Sequence, residues 1–280
     1  MSKRPVEIIV ISDVHLGTRG CHAKELLTYL KSIKPKKVIL NGDIIDIWQF
    51  NKRYWPKSHM KVLKHIMGWI AKGIEVVYIP GNHDETIRKF VGFELGTFQI
   101  ENKLKEKIGQ KTAWVFHGDV FDVTMQRSKW LAKLGAVGYD LLILINRFVN
   151  FFSIKLGYGK LSFSQKIKNS VKSAVKHINC FEDTAADIAI SKGYDYVICG
   201  HIHQPIIRQI KREGGSVLYL NSGDWIENLT SLEYDRGEWS IYYYKNDIDL
   251  LTKDEEEEDL VSDLSNKQLF NELLKEFQLL

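Results

Sequence analysis

Five short blocks of this chain carry side chains that bind divalent metals. They are Asp13-Val14-His15, Gly42-Asp43 with Asp46 three residues on, Gly81-Asn82-His83-Asp84, His117-Gly118-Asp119 and Gly200-His201-Ile202-His203. Carboxylate, imidazole and amide oxygen without thiolate suit Mn, Fe, Zn, Ni or Co better than a Cys-rich structural zinc site. A carboxylate such as Asp43 has two oxygens and can bridge ions held ~3.5–4 Å apart. Such a pair suits the hydrolysis of anionic esters: a phosphodiester repels a nucleophile, so the reaction needs cations near the phosphoryl oxygens and an ionised water.

Taken singly the blocks say little, because Asp-X-His and Gly-Asp-X-X-Asp are ordinary surface turns. Their placement carries the inference. Runs rich in Val, Ile and Tyr read as buried strands: 6–12, 36–42, 74–82, 112–118, 194–201 and 216–224. The first five end in, or lead directly into, one of the blocks. Helical periodicity around Ala23 to Ile33 and Lys61 to Lys72 separates the first three runs, the signature of parallel pairing with crossover helices. Sites in open α/β sheets lie beyond the carboxyl ends of the strands, so the five loops should converge on one edge. An extended chain is expected to put Asp13 with His15, and His201 with His203, on one face. Glycines 42, 81, 118 and 200 allow tight turns where the backbone approaches the ions. From Ser216 to Tyr244 the runs joined by Asp235-Arg236-Gly237 suggest antiparallel hairpins.

The 280 residues, 44% hydrophobic and 26% charged, fit a folded α/β body and argue against global disorder. The net charge of +4 is too small to imply a polyanionic partner, but its distribution is uneven. Residues 123–180 hold ten Lys or Arg against one acid, Asp140, and contain no convincing strand, which reads as a helical cap inserted in a single domain spanning 1–250. Residues 251–280 form a tail that begins with an acidic run (DEEEED, 254–259) and has a possible amphipathic helix beyond it. Cys21, Cys180 and Cys199 have no metal or redox spacing and suit reduced thiols. No secretory leader and no uninterrupted apolar span is visible, so a cytoplasmic protein is expected.

The blocks DVH, GDIID, GNHD, HGD and GHIH resemble the five motifs of the calcineurin-like metallophosphoesterases, over about residues 6 to 245 excluding the insertion. The resemblance implies an α/β (mixed) fold, an αββα sandwich of two mixed sheets with helices outside. It implies Asp13, His15, Asp43 and His203 on one metal and Asp43, Asn82, His117 and His201 on the other, with Asp43 bridging. It also places His83 at the phosphate as stabiliser or general acid, oriented by Asp84. Asp46, Asp119 and Asp122 stand where they could orient ligand histidines.

Within that superfamily, ISDVHLG, HGD before a long insertion, GHIHQP and NSGDW are similar to the UDP-2,3-diacylglucosamine pyrophosphatase branch of lipid A synthesis. That likeness implies a nucleotide-lipid substrate cleaved to UMP and 2,3-diacylglucosamine 1-phosphate, with manganese as the usual metal and iron, zinc or nickel compatible. Leu141, Leu142, Phe148 and Phe151 would then line an acyl groove, and lysines including Lys166 and Lys172 would meet the pyrophosphate or an anionic membrane surface. Asn82 and His83 would touch substrate as well. One block departs from the branch, whose best-known members carry arginine where this chain has His83. The alternatives are a phosphodiesterase for another nucleotide, lipid or nucleic-acid ester, and a non-catalytic scaffold of the same fold. A nuclease is disfavoured because the apolar residues of the insertion are too dense for a mainly electrostatic groove.

Overall fold

The structure is a computed structural model that describes residues 3–48, 54–121 and 181–247. The chain divides into two compact units: Met1–Asp119 with Ala185–Leu280, and Val120–Thr184. The expected cap at 123–180, with Lys166 and Lys172, and the tail at 251–280 fall outside the described residues, as does Asp122.

In the larger unit two mixed sheets carry the fold. The first has seven strands: β1 (Arg4–Ile11), β2 (Ile33–Asn41), β3 (Glu75–Ile79), β4 (Glu94–Leu95), β5 (Phe98–Ile100), β11 (Thr230–Asp235) and β12 (Glu238–Tyr243), in the order β12-β11-β1-β2-β3-β5-β4. The second has five: β6 (Leu104–Ile108), β7 (Lys111–Val115), β8 (Tyr196–Cys199), β9 (Ile206–Arg212) and β10 (Gly215–Asn221), in the order β6-β7-β8-β10-β9. β1, β2, β3 and β5 run parallel, as do β7, β8 and β10. The strands expected at the five blocks are therefore the parallel ones.

Both faces of β1–β3 are buried, which is why they read as unbroken apolar runs rather than alternations. Ile9, Ile11, Val38, Leu40, Val76 and Tyr78 point to the helix side, and Val10, Ile39, Val77 and Ile79 point to the second sheet, where Ala113, Val115, Ile198 and Leu220 meet them. The helices are α1 (Ala23–Ser32) and α2 (Lys57–Ala71). α1 buries Ala23, Leu26, Leu27, Tyr29 and Leu30 along one broad face, and carries Glu25 in its first turn and Lys31 in its last, which suits its dipole. α2 starts after Pro56 and buries His59, Val62, Ile66 and Trp69. The β11–β12 hairpin closes through Arg236 (φ 51°) and Gly237 (φ 89°), the paired left-handed turn that a two-residue hairpin loop requires. The strands missed by sequence reading are β4, β5, β6 and β9, which are short or polar on their exposed faces. Among the described residues no helix is long and apolar enough to cross a membrane.

α2 also braces the first ligand loop. The Gly17 N–H donates to Nδ1 of buried His59 at 2.9 Å. That bond needs a neutral ring, and burial lowers His59 from 6.5 to about 4. A depressed folded value means that the unfolded chain takes up the proton first, so stability falls as pH drops from 6.5 towards 4. His59→Asn, which keeps an acceptor, should make that acid limb shallower by about one proton in urea unfolding measured against pH. An unchanged limb would show that His59 does not titrate with folding.

Candidate metal centre

Every candidate ligand lies just past a strand's carboxyl end. Asp13 follows β1, Asp43 follows β2, Asn82 follows β3, His117 follows β7 and His201 follows β8. The backbone at these points differs from the extended form expected for Asp13-Val14-His15 and His201-Ile202-His203. Seven non-glycine residues in the described chain have positive φ, and five of them are Asp13, His15, Asp43, His201 and His203. Left-handed backbone costs an L-residue energy and persists where the surroundings enforce it. Here the N–H groups of Val14 and His15 both donate to the Asp43 carbonyl at 2.9 Å, and that of Asp13 donates to the Gly42 carbonyl at 3.0 Å. Locking two ligand loops together in this way is incompatible with continued strand geometry.

Two glycines have no substitute. At Gly42, already at φ 84°, a Cβ would lie 2.2 Å from His117 Nδ1. At Gly81 it would lie 2.2 Å from Asp43 Oδ1.

The donor atoms gather in overlapping groups. Asp13, His15 and His203 form one and Asp43, His117 and His201 another, each with ligand atoms within 4.8 Å of one another; a third joins His15, Asp43 and His83. Histidine tautomers are fixed from behind. The Nδ1–H groups of His15 and His83 both donate to Asp46 Oδ2, at 3.1 and 2.8 Å, and His117 Nδ1–H donates to the Asn41 carbonyl at 2.8 Å. This leaves Nε2 of His15 and His117 as lone-pair donors. His15 Nε2, His117 Nε2 and Asn82 Oδ1 are buried without a hydrogen bond, and the two histidine nitrogens face Asp43 Oδ2 at 3.9 and 3.3 Å. Buried acceptors are rarely left unpaired, and the two histidine nitrogens lie beside the Asp43 carboxylate, where a cation would satisfy them. The residues present fit two divalent metals.

The electrostatics agree. Burial opposes a charged ring at His117, yet the Asp43 carboxylate carries it up to about 10; at His203 the same contest, won by Asp13, gives about 9. Asp13 is strongly depressed: its complete burial works against ionisation, and His203 more than offsets this. The carboxylates hold protons on neighbouring imidazoles where metal would replace them.

One expected role is corrected. Asp84 does not orient His83. Its carboxyl accepts from the Ile44 N–H at 2.9 Å, the Tyr78 hydroxyl at 2.5 Å and the Gly81 N–H at 2.6 Å, which fixes the turn carrying Asn82 and His83. Asp46 orients His83, and the Trp48 ring lies 4.7 Å from the His83 ring. Asp119 does not meet a ligand histidine by hydrogen bond but pairs with Arg88, which also donates to the Pro80 carbonyl. Asp224, to which sequence reading gave no role, accepts from the N–H groups of Ile226, Glu227 and Asn228, and Asn228 reaches the His203 carbonyl at 2.9 Å. Its signal was the Ser-Gly-Asp that follows apolar β10.

The sequence profile of the calcineurin-like phosphoesterases matches residues 6–205. The chain belongs to this family. It is a metal-dependent phosphoester hydrolase, and the family implies a dinuclear divalent metal centre. Among its relatives, a UDP-2,3-diacylglucosamine hydrolase of Blochmanniella pennsylvanica is 25% identical over 77% of this chain and 86% of its own length. Another of that name, from Stenotrophomonas maltophilia, is 22% identical over 83% of this chain and 96% of its own. A solved phosphoesterase of E. coli is 12% identical with a TM-score of 0.43, covering 85% of this chain and 93% of that one.

Proposed function

We propose that this phosphoesterase hydrolyses the pyrophosphate of UDP-2,3-diacylglucosamine, yielding UMP and 2,3-diacylglucosamine 1-phosphate. The reaction class rests on one observation: buried His15 Nε2 and His117 Nε2, without hydrogen bonds and facing the Asp43 carboxylate, in groups of side chains close enough to hold metal. The substrate is supported by relatives of that name along most of the chain. Asp13, His15, Asp43 and His203 would hold one divalent ion, and Asp43, Asn82, His117 and His201 the other; manganese is the assignment made here. When bound, such ions neutralise phosphoryl charge and make water nucleophilic near neutral pH.

The chain's own groups do the rest. Asp46 keeps Nδ1–H of His15 and His83 turned inwards, so that both Nε2 atoms face the reaction space. Burial disfavours the charged form of His83 and the Asp46 hydrogen bond supports it, which would set a proton donor beside the leaving oxygen. Asp84 holds the turn that presents His83. The residues at 123–180 would take the acyl chains, with Lys166 and Lys172 near the pyrophosphate, and would bring a cytoplasmic enzyme to the membrane surface.

The test is hydrolysis by metal-reconstituted protein of UDP-2,3-diacylglucosamine, UDP-glucose and an aryl phosphodiester. Preference for the acylated substrate supports the assignment. Equal rates on UDP-glucose would sink the lipid reading, and turnover of the aryl ester alone would move the enzyme to another phosphodiester.

A further inference from the structure

The ligands assigned to the second ion come from both sheets. Asn82 follows β3 of the first sheet, and His117 follows β7 of the second. Where these two loops meet, no side chain sets their spacing. At Gly81 a Cβ would lie 2.7 Å from His117 Nε2, so bare backbone stands against the atom that would bind metal. A ligand set works only when its members are held to within about half an ångström, so the two loops need a fastening. Arg88 is placed to supply it. It follows the Asn82 turn in the 3-10 helix Glu85–Phe90, and its Nη2 donates to the Pro80 carbonyl at 2.9 Å and to Asp119 Oδ2 at 2.6 Å. Pro80 stands two residues before Asn82, and Asp119 two residues after His117. Nη1 reaches Asn102 Oδ1 at 3.3 Å, just beyond β5.

The chemistry of the pair suits that task. The side chains of Arg88 and Asp119 are only 27% and 16% exposed, so their charge-assisted bond is largely shielded from water. A planar guanidinium holds several acceptors in fixed relation, which an ammonium on a flexible stem does not. Asp119 is also the last residue of the larger unit before Val120–Thr184, so the His117 loop does not run on into another strand of that unit. The ligands of the first ion are held by other bonds. The Asp13 N–H donates to the Gly42 carbonyl, His15 is bound to Asp46, and the His203 carbonyl accepts from Asn228.

We propose that, given the ligand assignment above, Arg88 and Asp119 are positioning residues: they clamp the gap between Asn82 and His117 and so set the affinity of the second ion, not the first. The probe is Mn2+, titrated calorimetrically into the metal-free full chain, with His201→Ala and His203→Ala marking which affinity belongs to which ion. Arg88→Ala should weaken the second ion about tenfold or more and leave the first unchanged, and Asp119→Ala should do the same. The double variant should be no weaker than either single one, because each already opens the same clamp. Arg88→Lys keeps the charge but not the fork and should recover only part of the loss; it also carries the test if the alanine variant fails to fold. In the metal-free protein, hydrogen exchange at the Gly81 and His83 amides should quicken in Arg88→Ala. It should not quicken in Lys36→Ala, which removes an exposed positive charge from β2. Wild-type affinity for both ions in Arg88→Ala, equal weakening of both, additive losses in the double variant, or a lysine variant indistinguishable from wild type would each overturn the clamp alone. A wild type that binds a single ion would instead remove the ligand assignment, and the clamp with it.

Discussion

Asp43→Asn is expected to leave a folded protein that retains about half or less of its metal and turns over roughly three orders of magnitude more slowly. Asp43 is the residue on which the site depends most. Its Oδ2 faces both His117 Nε2 and His15 Nε2, its Oδ1 accepts from the His83 N–H at 2.8 Å, and its carbonyl accepts from the N–H groups of Val14 and His15. Asparagine preserves the carbonyl contacts and the volume, so the ligand loops stay joined, but it removes the negative charge that makes two cations tolerable at short range. Metal content by elemental analysis, read beside kcat, separates this from misfolding. The metal-free protein gives an independent check. His117 is raised from 6.5 to about 10 there, because Asp43 outweighs the burial of the ring. A raised folded value means that the ion pair stabilises fully below pH 6.5 and that this contribution is lost as pH climbs through about 10. Without the carboxylate the His117 contribution shrinks, so the fall in stability across that window should be shallower by about one proton in the variant. Full metal retention with wild-type turnover would remove Asp43 from the centre.

The catalytic face was legible because its chemistry sits where parallel strands end. Apolar runs buried on both sides announce such strands, and Asp13, Asp43, Asn82, His117 and His201 follow them within three residues. The local geometry was not legible. Strand periodicity suggested that Asp13 and His15 project from one face of an extended segment, whereas both adopt left-handed backbone. That conformation depends on hydrogen bonds to Gly42 and Asp43, some 30 residues away, and no local pattern encodes such a partner. The division of labour between Asp46 and Asp84 was hidden for a related reason. The family resemblance implied Asp84 as the partner of His83. Yet the Asp84 carboxyl turns back to Gly81, Ile44 and Tyr78, and Asp46 arrives from the preceding loop. The strands β4 and β5 escaped notice because their few residues pair only at the edge beside β3.

His83→Ala should keep its metal and lose turnover by about 10²–10⁴-fold, the range expected for a general acid. The geometry makes this a sharp distinction, because His83 can be grouped in two ways. With His15 and Asp43 it forms a set compact enough to hold an ion, but its Nδ1 is committed to Asp46 and its ring is partly open beside Trp48. If His83 were a ligand, the alanine variant would release metal, and the role assigned to it here would fall. As an acid it has a further signature in the pH profile. Burial works against the imidazolium and the Asp46 hydrogen bond supports it, while the Asp43 charge adds to that support only in the metal-free protein. Activity that needs this proton is present below the His83 pKa and is lost as pH rises through it, which makes His83 the alkaline limb of kcat. Asp46→Asn weakens that support and should draw the limb to lower pH. It also loosens His15, so metal affinity should fall by about 10–100-fold. The two substitutions therefore diverge: His83→Ala abolishes the alkaline limb at full metal occupancy, while Asp46→Asn shifts the limb and demands more metal. An alkaline limb unmoved by either would mean that another group supplies the proton.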